Sequence, residues 1–243
     1  MTEVPESHPR YESLKTREDL VEGVKKGITS EAGLIAHGRG EMFDYLLGEK
    51  TIPEAKRAAE RSVQLMKEAD NPVISVNGNV AALVPENIVK LSKRLDCKLE
   101  VNLFHRTDER IEKIVKELEK HGAEDVLGKD PDAEIPNLDH DRALCSEEGI
   151  YYSEVVLVPL EDGDRAQALK RMGKTVLTID LNPLSRTAKA ADVTIVDNII
   201  RAVPYMIECE PSEEEFDNRE NLSSILEYMS DRLLQLRDED MAR

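Results

Sequence analysis

The stretch KTVLTIDLNPLSRTAKAADVTIVDNIIRAVP, residues 174–204, decides the fold of this chain. Its residues 175–179 are β-branched or apolar and lie between a glycine and a proline-containing turn, a pattern that predicts a buried strand. Residues 193–196 predict a second short buried strand, after which Asp197 and Asn198 can cap a helix. Buried strands that alternate with helices predict a parallel sheet with crossover connections.

A polar loop, residues 180–187, joins these two strands. In open parallel sheets, ligands bind beyond the carboxyl ends of the strands, where such loops gather. Asp180 and Asn182 can hydrogen-bond ribose hydroxyls or a base edge, and Arg186 with Thr187 suits phosphate oxygens. An ordinary loop with a capping serine and a solvated arginine has the same composition, so the loop alone leaves both interpretations open.

The composition limits the class of protein. A chain of 243 residues is long enough for one large α/β domain, with or without an appended helical part. Hydrophobic residues make up 40% of it, but aromatic residues only 4%, so the core must consist of Val, Ile, Leu and Ala, as in most parallel sheets. A net charge of −17 argues against a general binder of nucleic acid or anionic membranes, which needs a basic footprint.

Cysteine spacing and hydropathy limit it further. Cys97, Cys145 and Cys209 form no CxxC pair, so they indicate neither a disulfide framework nor a zinc site. No apolar run approaches the ~18 residues of a membrane helix, and there is no secretory segment. We therefore expect a cytoplasmic protein.

The domain organisation follows from the same patterns. From residue 71 onward strands and helices alternate, which predicts a parallel-sheet domain over 71–243 that ends in a long C-terminal helix. Residues 1–70 predict a helical segment packed on that core, and we expect one compact unit. The sequences at 51–54 and 212–215 have the form of capping boxes and predict helix starts. The stretch 122–148 is predicted to be rich in loops.

Two features of the N-terminal part are unusual. Arg17 falls on the apolar face of the first predicted helix, where a guanidinium is unfavourable unless an anion pairs with it. A snorkelling side chain, an ion pair with a glutamate, or a phosphate ligand would each explain it. Gly38 and Gly40 flank Arg39 next to His37; they weaken a helix but let the backbone approach a ligand closely.

Polar side chains follow five of the predicted strands. They are Asn77-Gly78-Asn79, His105-Arg106, the segment 161–165, the loop 180–187, and Asp197-Asn198. Because the carboxyl ends of parallel strands meet at one edge of a sheet, we expect these groups to converge on one anion-binding rim.

The rim offers groups for phosphates and for magnesium. Arg106, Arg165 and Arg186, with Arg39, are candidates to hold phosphates. Asp162 and Asp164 are candidates to place Mg²⁺, which takes one or two carboxylates besides phosphate oxygens, although we assign no metal-ligand set. The chain contains neither GxxxxGK[ST] nor a GxGxxG after a strand, which disfavours a P-loop and a standard dinucleotide site. It also lacks GxSxG.

Several long segments resemble the archaeal phosphopantothenate synthetases, also called 4-phosphopantoate–β-alanine ligases. They are PESHPRYESLKTRE (5–18), GLIAHGRGEMFDYLLGE (33–49), PVISVNGNVAAL (72–83), LEVNLFHRT (99–107), VVLVPLEDGDR (155–165), IDLNPLSRTA (179–188) and TIVDNIIRA (194–202). The resemblance implies a homodimer with a three-layer α/β/α Rossmann-like fold. It also implies an ATP-dependent, AMP-forming ligase of coenzyme A biosynthesis, which joins 4-phosphopantoate to β-alanine through an acyl-adenylate, with Mg²⁺.

The resemblance also implies roles for particular residues. The implied ATP contacts are Arg17, Arg39, Asp180, Leu181, Asn182, Arg186, Thr187, Asn198 and Ile199. From their placement at strand ends, we assign the 4-phosphopantoate end to Asn77, Gly78, Asn79, His105 and Arg106. His105 and His37 are candidate bases and Arg106 a candidate for charge neutralisation, although either histidine could instead hydrogen-bond a substrate phosphate.

The residues by themselves are also compatible with two other kinds of protein. One is a non-catalytic, nucleotide-binding regulatory module that uses the same edge of the sheet. The other is a dimeric scaffold whose polar turns serve only as helix caps. In the enzyme case we expect small-molecule substrates and a second copy of the chain as partners, and neither nucleic acid nor a membrane.

Overall fold

A five-stranded parallel sheet forms the centre of the molecule. The computed structural model describes residues 5–8 and 10–241; residues 1–4, 9, 242 and 243 lie outside the described part of the chain. The strands are β1 (Val73–Val76), β2 (Lys98–Val101), β3 (Ala133–Glu134), β4 (Leu144–Cys145), β5 (Val155–Leu157), β6 (Thr175–Ile179) and β7 (Val193–Ile195). β3 and β4 form a separate antiparallel pair, and the other five give the main sheet.

The order of the main sheet is β2-β1-β5-β6-β7, and every neighbouring pair in it is parallel. The chain runs outward from β1 to β2, then returns to the other side of β1 and runs outward again from β5. The order therefore reverses between β1 and β5, and such a switch point opens a crevice at the carboxyl ends of the strands.

The helices flank this sheet. They are α1 (Tyr11–Lys26), α2 (Glu31–Leu47), α3 (Pro53–Glu68), α4 (Gly78–Leu83), α5 (Pro85–Leu95), α6 (Asp108–Lys120), α7 (Gly163–Arg171), α8 (Arg186–Ala190), α9 (Ile199–Glu208) and α10 (Asn218–Met241). Among the described residues, no helix combines the length and the apolar character needed to cross a membrane.

Alternate strand residues belong to two separate hydrophobic clusters, one on each face of the sheet. Ile74 and Leu177 pack into the larger cluster, with apolar residues of α3, α5 and α9. Val156 and Val176 pack into the smaller cluster, with α7 and residues of the 133–151 insertion. Strands buried on both faces have no polar side, which is why they are runs of Val, Ile and Leu. The predicted three-layer α/β/α Rossmann-like architecture is confirmed.

Both predicted capping boxes are wrong. The N-cap of α3 is Ile52, because the hydroxyl of Thr51 donates instead to Asp197 Oδ2 at 2.6 Å. The last helix begins at Asn218 rather than near Ser212, and Asp217 Oδ1 accepts the first free N–H groups. In the first case a tertiary partner has replaced the local cap.

The N-terminal helices also differ from the predictions in detail. α1 buries Thr16, Leu20 and Gly23, whereas Arg17, which the prediction placed on the apolar face, is only partly buried. α2 runs without a break through its three glycines and begins at the N-cap Ser30. Gly33 and Gly40 bring the backbone of α2 close to Asn79 and Leu181, which allows the helix to lie across the carboxyl edge of the sheet.

Candidate active site

Two adjoining cavities lie at the carboxyl edge of the sheet. One, which we name the nucleotide-side cavity after the ATP contacts that the resemblance implies, has a volume of about 400 Å³ and lies between α2 and the β6 exit, with Arg39, Asp180 and Asn182 among its lining residues. The other, which we name the acid-side cavity after the residues expected to bind 4-phosphopantoate, has a volume of about 300 Å³ and lies between the start of α2 and the exits of β1 and β2. The two cavities have four lining residues in common: Ala36, Asn79, Leu160 and Asp162. Residues from four of the five predicted strand exits therefore line these two cavities, whereas Asn198 of the fifth exit lines another cavity.

The loop after β6 is organised by its own side chains. Asp180 accepts from the Asn182 N–H at 2.9 Å and from the Ser185 hydroxyl at 2.5 Å. Ser185 in turn accepts from Ala188 N and caps α8. Burial raises the pKa of Asp180 above its ordinary value. The residues assigned to ATP here thus form a rigid turn, and Leu181 lies against Gly40 of α2.

Two exposed arginines lie at or next to the nucleotide-side cavity. Arg39 lines the cavity from α2, and Arg186 is the first residue of α8. No salt bridge within residues 5–8 and 10–241 involves either guanidinium. A Cβ on Gly163 would lie 2.3 Å from Arg186 Cβ, so only glycine lets the starts of α7 and α8 approach so closely. Both arginines are positioned to meet an incoming anion.

α2 forms the roof of the rim. A Cβ on Gly33 would lie 2.4 Å from Asn79 Oδ1, whereas nothing lies within 4 Å of a Cβ on Gly38. Asn79 donates to Gly33 O at 3.0 Å and accepts from the Thr29 hydroxyl. The glycine pattern of the sequence thus marks a close contact with the rim at Gly33, but not at Gly38.

Asn77 connects the two strands at the switch point. Its Oδ1 accepts from Asn79 N and Val80 N, at 3.0 and 3.1 Å, and caps α4. Its Nδ2 donates to the carbonyls of Pro159 and Leu160, at 2.9 and 3.1 Å. Both side-chain N–H groups and both acceptor positions of this amide are therefore used within the protein, which fixes the crevice between β1 and β5.

The predicted residues after β2 separate. His105 is exposed, lines the acid-side cavity and packs edge-on against Phe104, with ring centroids 4.9 Å apart. Arg106 does not line either cavity, because its guanidinium donates to the carbonyls of Gly128 and Lys129 at 2.7 and 2.8 Å. This arginine holds the 128–129 turn.

Sequence reasoning missed two arginines that do line the acid-side cavity. Arg110 lies in the first turn of α6, and Arg142 comes from the 122–148 stretch that was predicted only as loop. The spacing of Arg110, three residues after the cap Thr107, was an available signal, since it places the side chain near the strand exit. Nothing in the local sequence marked Arg142.

A buried ion cluster underlies that cavity. Glu161 bridges two arginines: Arg142 Nη1 at 2.6 Å and Arg165 Nη1 at 2.5 Å. Arg165 has no exposed surface and also donates to Ser75, so the expectation that it holds a phosphate is wrong. Arg142 Nε lies 3.0 Å from Asp162 Oδ2, close enough for an ion pair but not aligned as a hydrogen bond.

The two candidate magnesium carboxylates point to different places. Asp162 lines both cavities, and 45% of its side chain is exposed. Asp164 instead pairs with His140, whose Nε2 lies 3.1 Å away. In the described part of the chain no group of three or more His, Cys, Asp and Glu side chains forms a ready metal cage.

Of the remaining assigned ATP contacts, Asn198 lines a third cavity, of about 440 Å³, next to α1 and α9. Thr187 is buried, and its hydroxyl donates to Glu161 O at 2.8 Å. Arg17 forms an ion pair with Glu41, with Nη2 2.9 Å from Oε1, as one of the explanations from the sequence required. Asn198 donates to Asp44 at 3.0 Å and caps α9. Ile199 is 1% exposed, so only its backbone is available to a ligand.

His37 lines both this third cavity and the nucleotide-side cavity. It is half-buried on α2, and burial lowers its pKa below the ordinary value of 6.5 despite the neighbouring carboxylates of Glu41 and Asp44. A histidine of this kind is neutral at neutral pH and can accept a proton.

A parallel, doubly wound sheet with two adjoining polar cavities at its switch point defines a ligand-binding α/β protein of the Rossmann-like class. Residues 54–242 match the family model described as phosphopantothenate/pantothenate synthetase. The chain belongs to this family of enzymes.

Individual relatives agree with the family. A protein of Thermococcus kodakarensis is 53% identical, in an alignment that covers 100% of this chain and 98% of that protein. A protein of Methanosarcina mazei is 52% identical, with 96% of each chain covered. One of Methanospirillum hungatei is 50% identical, with 97% and 100% covered. Each is named 4-phosphopantoate–beta-alanine ligase, so the resemblance found in the sequence is confirmed and a catalytic ligase role is supported.

Proposed function

We propose that this chain is an ATP-dependent, AMP-forming ligase that joins 4-phosphopantoate to β-alanine and so supplies 4′-phosphopantothenate for coenzyme A biosynthesis. The observation that carries the proposal is the shared boundary of the two cavities at the switch point, formed by Ala36, Asn79, Leu160 and Asp162. ATP occupies the nucleotide side and 4-phosphopantoate the acid side. The carboxylate of the acid then meets the α-phosphate at that boundary.

The nucleotide side is served by the residues after β6 together with those of α2. Asp180 and Asn182 suit the nucleoside, and Arg39 and Arg186 suit the polyphosphate. The full set proposed for ATP is Arg17, Arg39, Asp180, Leu181, Asn182, Arg186, Thr187, Asn198 and Ile199. Leu181 and Ile199 act through backbone or apolar contact, and Arg17 takes part with the Nη1 group, because its Nε and Nη2 hold Glu41.

In the first step a carboxylate oxygen of 4-phosphopantoate attacks the α-phosphorus of ATP, and pyrophosphate leaves. Such a transfer depends on position and charge neutralisation rather than on a covalent enzyme intermediate. Gly78 and Asn79 line the acid-side cavity, in which we propose that the acid binds. Arg39 on the nucleotide side, and Arg110 with Arg142 on the acid side, would contact the phosphates. Asn77 contributes by fixing the crevice.

In the second step the amine of β-alanine attacks the acyl carbon of the adenylate, and AMP leaves. The ammonium form has no lone pair, so a base must first remove a proton. His37 is the better placed base, because it borders the nucleotide-side cavity and burial keeps it neutral. His105, exposed on the acid side, is suited to a hydrogen bond with the substrate phosphate.

Magnesium fits the boundary of the cavities. Asp162 is the carboxylate that lines both, and Mg²⁺ in nucleotide sites typically takes one or two carboxylates together with substrate phosphates and water. Asp162 would hold the ion, whose charge would offset that of the phosphates. Asp164, paired with His140, stays outside this role.

Exposed apolar residues support a homodimer. Ile35 and Met42, seven residues apart on α2, are 67% and 57% exposed. Leu233, Leu234 and Leu236, near the end of α10, are between 40% and 51% exposed. α2 and α10 contact each other, so these residues offer an apolar surface to a second copy. We further propose that the enzyme works in the cytoplasm, where its soluble substrates are.

The product nucleotide tests the proposed function. Purified protein with 4-phosphopantoate, β-alanine, ATP and Mg²⁺ should give AMP, pyrophosphate and 4′-phosphopantothenate in equal amounts. Formation of ADP would exclude the adenylate route. ATP binding without turnover would identify a nucleotide-binding regulatory module, and calorimetry without any ATP binding would identify a scaffold.

A further inference from the structure

On the basis of the proposed function, we propose that Arg110 and Arg142 are the specificity-determining residues that make this enzyme choose a phosphorylated hydroxy acid over its unphosphorylated form. The family is described for both phosphopantothenate and pantothenate synthetases, and the acid substrates of the two reactions differ by one phosphate. A pair of arginines that binds that phosphate therefore decides which acid is used.

The two arginines line the acid-side cavity together with hydrogen-bond donors. Thr29, Ser30 and Asn79 line the same cavity, as does the first turn of α2. Backbone N–H groups at the start of a long helix favour an anion. Arg142 is 6% exposed, so the surface that it does expose belongs to the cavity wall. A phosphate there would meet two guanidinium groups.

Charge balance distinguishes Arg110 from its neighbours. Arg142 and Arg165 share the carboxylate of Glu161, and Arg142 also lies beside Asp162. Among the described side chains, by contrast, no carboxylate lies within salt-bridge distance of Arg110. Of the two arginines that line this cavity, Arg142 is therefore paired with carboxylates and Arg110 is not, which leaves the charge of Arg110 uncompensated.

Arg110 is bonded to the protein only through neutral carbonyls. Nη1 donates to His105 O at 2.6 Å and Nη2 to Ile28 O at 3.3 Å. Its Nε is buried and has no partner in the described chain. Burial and the positive charge of Arg142 both lower the pKa of Arg110. A partly buried cation that is next to another cation and lacks a counter-ion is stabilised by an anionic ligand.

The other arginines of the rim serve other purposes. Arg106 holds the 128–129 turn, and Arg165 is enclosed in the core. Arg39 lines the nucleotide-side cavity, and Arg186 begins the neighbouring helix α8. Arg110 and Arg142 are therefore the arginines that line the acid-side cavity, whereas Arg39 and the neighbouring Arg186 belong to the nucleotide side.

Equilibrium binding tests this inference without requiring turnover. Calorimetry would give dissociation constants for 4-phosphopantoate and for pantoate with the wild-type protein, Arg110→Gln and Arg110→Lys. We expect the wild type to prefer the phosphorylated acid. Arg110→Gln should lose roughly 10- to 100-fold in affinity for that acid, as expected for a charge-assisted hydrogen bond, and little for pantoate. Arg110→Lys should lose less, because it keeps the charge.

Controls separate binding from structure. Lys113→Gln removes an exposed positive charge from the same helix, where Lys113 pairs with Glu109, and should change neither constant. If Arg110→Gln weakens both acids equally, or neither, the inference is overturned. Affinity for ATP should be unchanged in every variant. A wild type that binds both acids as described but forms no AMP would contradict the proposed function and leave the arginine pair standing.

Discussion

The two sides of the rim hold their arginines differently. Arg39 and Arg186, on the nucleotide side, are exposed, whereas Arg110 and Arg142, on the acid side, already donate to protein groups. An exposed arginine loses side-chain freedom when a ligand orders it, but a held arginine has lost that freedom on folding. We therefore expect the acid side to be preorganised at a cost in folding stability, and the nucleotide side to become ordered when its ligand binds.

The largest expected effect comes from breaking the ion cluster under the acid side. Glu161→Ala leaves the buried charges of Arg142 and Arg165 without their shared carboxylate. We expect a loss of about 3–5 kcal/mol in the free energy of unfolding, because each charge stays buried and unpaired. Urea denaturation measures it. A midpoint equal to that of the wild type would show that this cluster does not support the acid side.

The matching change on the nucleotide side should leave stability intact. Arg186→Ala removes an exposed side chain, so the free energy of unfolding should stay within about 0.5 kcal/mol of the wild type. ATP binding should weaken by about 1.5–3 kcal/mol if the guanidinium makes a charge-assisted phosphate contact. Calorimetry with ATP decides this, and an unchanged affinity would remove Arg186 from the site.

Some features of this fold could be predicted from the sequence, and others could not. The strand Thr175–Ile179 was predicted correctly, and the strand Val193–Ile195 to within one residue, because full burial on two faces selects β-branched and apolar residues, which are visible locally. The convergence of strand exits followed from parallel topology alone. Strand order, and hence the switch point, did not, since it depends on which crossover packs where.

The direction in which individual side chains point could not be predicted from the local sequence. Arg106 and Arg110 both follow β2, yet the first turns to the 128–129 carbonyls and the second to the cavity. The direction of the Arg106 side chain depends on the 122–148 stretch, which is distant in the sequence and also contributes Arg142 to the cavity. Likewise Arg165 resembles a surface arginine at a helix start, and only its pairing with Glu161 makes its burial possible.

Gly33 and Gly38, both on α2, provide a smaller test of the contact between this helix and the acid side. Gly33→Ala would place a Cβ 2.4 Å from Asn79 Oδ1, so α2 must shift over the acid side, at a cost of about 1–3 kcal/mol. Gly38→Ala meets nothing within 4 Å and should stabilise the protein by about 0.5–1 kcal/mol through helix propensity. Thermal unfolding of the two variants measures both. Equal shifts of the same sign would contradict the close contact at Gly33.

The smallest expected effect is a pH shift on the nucleotide side. Because burial lowers the pKa of His37 below 6.5, its neutral form persists to a lower pH than that of a solvated histidine. If His37 is the base, kcat/KM at low β-alanine should decline on the acid side only below that ordinary value. A decline centred above pH 6.5, or the same decline in His37→Gln, would point to another group.

The proposed mechanism requires the acid carboxylate and the nucleotide α-phosphate to meet where the two cavities join. Isotope transfer tests it most directly. With 4-phosphopantoate labelled with ¹⁸O in both carboxylate oxygens, an acyl-adenylate route carries one labelled oxygen into the phosphate of AMP, which mass spectrometry detects. We predict one ¹⁸O per AMP formed. Unlabelled AMP, or label in inorganic phosphate released alongside ADP, would contradict the account.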